Sequence, residues 1–176
     1  MNLANLITIG RFLLVPLIVS MILAREWTLA FLLFAVAGVS DAVDGFIAKR
    51  FGMTTELGAT IDPLADKILL ISIYVTLAVI GVLPQWLAIL VVFRDLMIVS
   101  AVLVAWFLDK PIEIRPLLVS KATTAAQIGL ATLALAAQAF DVDPGRLLNA
   151  AVLGTALLTL ASAAAYLALW LRHMQV

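Results

Sequence analysis

The chain has 176 residues, 65% apolar and 12% charged, against about 45–50% and about 25% in an ordinary soluble domain. A compact soluble domain of this length has too little interior to hide so much apolar surface, and a disordered chain would be polar and charged. Eleven basic and eleven acidic residues cancel and cysteine is absent, so there is no basic footprint for nucleic acid, no disulfide framework and no thiol chemistry. The composition is that of a polytopic membrane protein, read as one domain over residues 1–176.

A membrane-crossing helix takes about 20 apolar residues. The first such run, Leu3–Ala24, ends at Arg25-Glu26. Arg11 interrupts it and no small-x-small site precedes Arg25, which argues against a cleavable signal peptide. The second, Thr28–Ala48, ends in the polar run Lys49–Thr55, and the third, Gly58–Ile80, in Gly81-Val82-Leu83-Pro84. The fourth, Trp86–Leu108, ends at Asp109-Lys110-Pro111. The fifth, Val119–Phe140, is closed by Asp141-Val142-Asp143-Pro144-Gly145, and the sixth is Arg146–Leu171. Lipid admits only helices or closed barrels. Strand alternation is absent and Ala and Leu dominate, so the fold expected is all-α with six transmembrane helices.

Taken alternately, the loops place Lys49, Arg50, Lys110, Arg115, Lys121 and Arg172 on one side and only Arg25 and Arg146 on the other. The cation bias puts both termini and the Lys49–Glu56 loop in the cytoplasm. Trp27, Trp86, Trp106 and Trp170 fall near span ends, where indoles favour the interface. The only histidine, His173, flanks the last span.

Charges inside spans are costly and are functional candidates by default. Asp41, Asp44, Asp62 and Asp66 cluster near the cytoplasmic ends of the second and third spans. Asp41, Asp44, Gly45 and Ala48 share one helix face by spacing, and Gly58, Asp62 and Asp66 share another. A short connection makes the two helices antiparallel neighbours, so the four carboxylates converge at one depth. Four such charges do not all stay ionised without cations, and carboxylates suit hard divalent ions such as Mg²⁺ or Mn²⁺. Gly45, Ala48 and Gly58 leave the surface without bulk, so a nucleotide or pyrophosphate can lie against the backbone. Taken singly, Asp41 or Asp44 also reads as a solvated helix end. The four together read as a metal–pyrophosphate site.

The stretch from Asp41 to Lys49, eight residues, then Gly58, Asp62 and Asp66, resembles the signature of the CDP-alcohol phosphotransferases, D-x2-D-G-x2-A-R, a spacer, and G-x3-D-x3-D. Lys49 stands where the family usually has arginine; it offers a point charge to phosphate without the bidentate fork. Asn5, Thr8 and Arg11 resemble the N-x2-T-x2-R opening of the phosphatidylglycerophosphate and cardiolipin synthase branches. Arg94-Asp95 and the run from Val119 to Gln127 are more similar to the mitochondrial-type cardiolipin synthase branch.

The resemblance implies transfer of a phosphatidyl group from CDP-diacylglycerol to an alcohol with release of CMP. It implies that Asp41, Asp44, Asp62 and Asp66 hold the divalent ions, two in number, and that Asp66 is the candidate base for the acceptor hydroxyl. It assigns CDP binding to Asp44, Gly45, Ala48, Lys49, Gly58, Asn5 and Thr8, with Asn5 and Thr8 open also to a role as polar glue between helices, as is Gln127. Contact with acceptor phosphate falls to Arg94, Lys121 and Arg11, and less to Lys67. The other reading for these cations is internal pairing with Asp95 or the aspartate cluster.

The acceptor expected is phosphatidylglycerol, giving cardiolipin, with glycerol-3-phosphate as the alternative. Arg94-Asp95 stands where the phosphatidylglycerophosphate synthases more often have R-E, and Ser120-Lys121 with Thr123 where they have G-K-x-K. A phosphate dianion favours several cations close together, whereas a diester needs fewer; Arg115 or Lys110 offers compensation. A homodimer is expected from the resemblance and from small-residue runs such as Ala161 to Ala165. The expected setting is a bacterial or mitochondrial-type inner membrane, with the site on the cytoplasmic side. Two outside readings are an intramembrane prenyltransferase and a cation transporter. The first lacks the D-x2-D-G-x2-A half, and the second fits poorly with six spans and no inverted repeat.

Overall fold

A computed structural model describes the backbone of residues 3–51, 56–107 and 117–174, and the side chains of residues 10, 12–40, 66–100, 104 and 117–171. The described backbone forms six helices, with no strand among the described residues: α1 Leu3–Leu23, α2 Trp27–Phe51, α3 Glu56–Val79, α4 Gln85–Phe107, α5 Leu118–Ala139 and α6 Gly145–Met174. Each helix covers one of the six apolar runs, and no end is displaced by more than three residues. The largest shift in the site region is α2, which continues past Ala48 to Phe51. Lys49 and Arg50 thereby fall in its last turn, where cations complement the helix dipole. Pro16 sits inside α1 without ending it.

Helices α1, α3 and α5 stop in the same way. Beyond α1 the Arg25 amide donates to the Ile22 carbonyl and the Glu26 amide to Met21; Gly81 and Val82 repeat the pattern on Ala78 and Leu77, and Asp141 and Val142 on Gln138 and Ala137. These are Schellman turns, in which the residue just past the helix takes the left-handed conformation. That residue is Arg25 (φ 60°), Gly81 (φ 81°) or Asp141 (φ 51°). Pro84 and Pro144 then stand one residue ahead of α4 and α6, in positions that cannot prolong the preceding helix.

The chain divides into two compact units, residues 1–83 with 131–144, and residues 84–130 with 145–176. In the first, α1 packs against both α2 and α3. Its core is apolar: Ile18, Ile22, Ala30, Phe34, Ile73 and Leu77 are buried, joined by Ala134 and Leu135 from the second half of α5. Phe31 meets Phe140 edge-on, with ring centroids 5.7 Å apart.

In the second unit α4 packs against α6, and the interior has another character. Leu87, Val91, Leu130 and Val152 are buried together with Arg94, Asp95, Thr123, Gln127, Thr155, Thr159 and Ser162. The outward faces are apolar: Ile89, Phe93 and Leu96 on α4, and Leu153, Leu157 and Leu160 on α6, are exposed. Water would favour the reverse, since buried polar groups carry a desolvation cost and exposed apolar ones forgo burial. Among the described residues, two helical stretches, Leu118–Ala139 and Gly145–Leu171, are long and apolar enough to cross a membrane, while Phe12–Leu23 and Trp27–Ser40 are apolar but shorter.

Candidate functional site

The residues named in the aspartate motif all lie on helical backbone. α2 carries Asp41, Asp44, Gly45, Ala48 and Lys49, and α3 carries Gly58, Asp62 and Asp66. At 3.6 residues per turn, Asp41, Asp44, Gly45 and Ala48 share one face of α2, and Gly58, Asp62 and Asp66 one face of α3. Asn5, Thr8 and Arg11 recur every three residues on α1, the helix that packs against both α2 and α3. The side chains of these residues, apart from Asp66, lie outside the described residues. Asp66 is half-buried and has a partner within the chain, as does Lys67. Among the described residues no three His, Cys, Asp or Glu side chains come together; Asp41, Asp44 and Asp62 fall outside that set. The donor chemistry is uniform. Four carboxylates supply oxygen ligands only, which fits Mg²⁺ or Mn²⁺ and excludes nothing those ions need.

Of the two readings open for Arg94, phosphate contact and internal pairing, the structure shows internal pairing. Its side chain is 2% exposed. Nη1 donates to Asp95 Oδ1 at 2.6 Å. Nη2 donates to Ser120 Oγ at 2.6 Å and to Ser162 Oγ at 2.7 Å, and Nε reaches the same Ser162 oxygen at 3.2 Å. The Tyr166 ring lies 5.8 Å from the guanidinium carbon, a cation–π distance. Four of the five N–H groups are thus engaged and the charge is balanced by Asp95. An unpaired arginine at this depth would be costly in either lipid or protein.

The same interior face continues along α5 and α6. Thr123 Oγ1 lies 2.8 Å from the Val119 carbonyl and 2.9 Å from the Leu158 carbonyl, so its one proton is shared between the two helices. Thr159 donates to the Thr155 carbonyl at 2.7 Å. Gln127 is buried and has a partner within the chain. Lys121, by contrast, is exposed. Ser162 and Tyr166, the α6 partners of Arg94, lie outside every motif of the sequence. A signal for them exists: Thr155, Thr159, Ser162 and Tyr166 follow i, i+4, i+7, i+11 spacing, a polar face on an otherwise apolar helix.

The sequence model of the CDP-alcohol phosphatidyltransferase family matches residues 1–171. The chain belongs to that family. It is 32% identical to a cardiolipin synthase (CMP-forming) of Rattus norvegicus, in an alignment covering 92% of this chain and 59% of the relative. It is 32% identical to a probable cardiolipin synthase (CMP-forming) of Drosophila melanogaster, covering 94% of this chain and 56% of the relative. A probable phosphatidylglycerophosphate synthase of Mycobacterium tuberculosis is 37% identical over 54% of this chain and 48% of its own length. The chain thus spans less than two thirds of the relatives it matches.

Proposed function

We propose that this chain transfers a phosphatidyl group from CDP-diacylglycerol to phosphatidylglycerol, forming cardiolipin and CMP. The observation that carries the reading is the aspartate signature set on one face each of α2 and α3, with α1 packed against both helices. In this reading all six helices cross an inner membrane, the catalytic face lies on its cytoplasmic side, and the protein works as a homodimer. The inverted polarity of the α4–α6 unit supports a lipid surround, and both lipid substrates require one.

Asp41, Asp44, Asp62 and Asp66 would hold two divalent ions, which when bound neutralise the pyrophosphate and the departing CMP. Gly45, Ala48 and Gly58 let the nucleotide approach the helix backbone, and Lys49 supplies a counter-charge, with Asn5 and Thr8 on α1 as further donors. The acceptor oxygen bonds to the phosphorus bearing diacylglycerol while the bond from that phosphorus to CMP breaks. Asp66 takes the hydroxyl proton as the new bond forms.

For the acceptor, the cation supply is the deciding feature. Arg94 is neutralised by Asp95, and Thr123, buried against the Leu158 carbonyl, stands where a second lysine would serve a phosphate dianion. Lys121 and Arg11 remain, enough for the single charge of a phosphodiester. The second reading, glycerol-3-phosphate as acceptor, draws on the similarity to a protein named phosphatidylglycerophosphate synthase. Purified protein in mixed micelles, given labelled CDP-diacylglycerol and each acceptor separately, is expected to make cardiolipin. Phosphatidylglycerophosphate without cardiolipin would overturn the acceptor; no CMP release with either would overturn the reaction.

A further inference from the structure

The Arg94 cluster is closed to anions yet mechanically central. Its guanidinium touches three helices at once: Asp95 on α4, Ser120 on α5, and Ser162 with Tyr166 on α6. An incoming phosphate would have to displace short hydrogen bonds in a buried setting, where each lost partner leaves a desolvated group behind. The contact with Ser120 has another consequence. Ser120 is the third residue of α5, so its hydroxyl, pinned inward at 2.6 Å, fixes the rotation of that helix's first turn together with Thr123, which is tied to the Leu158 carbonyl. Lys121, one residue further on, is turned about 100° away and is exposed. Its amide makes the opening helical bond of this turn, to the Leu117 carbonyl at 3.1 Å, and Thr124 Oγ1 binds the Ser120 carbonyl at 3.2 Å. The Arg94–Ser120 tie thus lies one residue from Lys121, in the turn that carries it.

We infer that Arg94 is a positioning residue, which acts through Ser120 to hold Lys121 in the orientation that receives the acceptor's phosphate. The inference rests on the reading of Lys121 as a phosphate contact. It assigns Arg94 no direct contact with substrate.

Replacing Arg94 itself removes the buried ion pair with Asp95 and endangers folding, so Ser120→Ala is the informative variant and Ser120→Thr its rescue. In micelles with CDP-diacylglycerol and phosphatidylglycerol, Ser120→Ala is expected to raise the KM for phosphatidylglycerol about fivefold, the loss of one hydrogen bond's worth of orientation. The KM for CDP-diacylglycerol should stay near that of the parent, the melting temperature should fall only modestly because Arg94 keeps Asp95 and Ser162, and Ser120→Thr should recover the acceptor KM. A merely structural role would move both KM values together or lower kcat alone, and that result overturns the inference. Acylation of Lys121 by an amine reagent, followed by peptide mass spectrometry, gives a readout independent of turnover. Phosphatidylglycerol should slow labelling in the parent, and about fivefold more lipid should be needed in Ser120→Ala. Equal protection in both, or none in a parent that still releases CMP, refutes the positioning role and leaves the reaction standing. If the parent releases no CMP, the reaction fails, and the labelling series alone decides the role of Arg94.

Discussion

In the proposed reaction, Asp62 and Asp66 differ from an ordinary helix-end aspartate in what a neutral isostere would do to them. Asparagine keeps the shape and a carbonyl oxygen but loses the charge that, in the proposed reaction, would hold a divalent ion and the basicity that would accept a proton. Asp62→Asn and Asp66→Asn are therefore expected to lower CMP release by at least about 10²-fold while the protein still inserts and purifies. Near-parental turnover in either would remove that carboxylate from the site. Chelation with EDTA should stop the parent enzyme, and Mg²⁺ or Mn²⁺ should restore it; chelator-resistant turnover would count against a metal site. Spacing alone places both residues on one helical face, because a signature confined to consecutive helical turns fixes which positions share a face. It does not place the partners of Arg94. A buried arginine reads identically in sequence whether it meets a phosphate or a serine on another helix.

At the scale of elements, the helix ends are set by local chemistry. The three Schellman turns place Arg25, Gly81 and Asp141 in left-handed backbone, and only glycine adopts that without a steric cost. A Cβ built on Gly81 meets nothing within 4 Å, so a substitution there isolates the backbone term. Gly81→Ala is expected to destabilise the protein by about 1–2 kcal/mol, read as a lower melting temperature with CMP release unchanged below it. An unchanged melting temperature would show that the turn relaxes. Most helix boundaries followed directly from Gly, Pro and charged punctuation. The exception nearest the site, the run of α2 on to Phe51, arises because Lys49 and Arg50, which read as loop cations, are also good helix formers at a favourable terminus.

At the scale of the molecule, the exposed apolar side chains of α4 and α6 and the polar interior of that unit support the proposed lipid surround. Small residues on the last helix, among them Ala161, Ala164 and Ala168, reach its outer face and allow a second copy to approach closely. A homodimer is expected in native-like lipid, detected as a doubled mass or a specific crosslinked pair. A monomer under those conditions would refute it. The same residues also suit packing within one chain, which is why the interface itself was not legible from them.

Composition, apolar run length and motif spacing by themselves determined the all-helical fold of the described residues and the limits of its six helices to within three residues. These properties are decided within one helix or one turn, where neighbours in space are neighbours in sequence. The role of Arg94 needed the tertiary structure. Ser162 lies 68 residues away along the chain, and no local rule brings it to the guanidinium. Only the packing of α4 against α6 does so, converting a cation expected to face substrate into one neutralised by Asp95 and held by two serines. A buried charge must be satisfied by whichever polar groups the fold delivers, and delivery is a property of how helices adjoin.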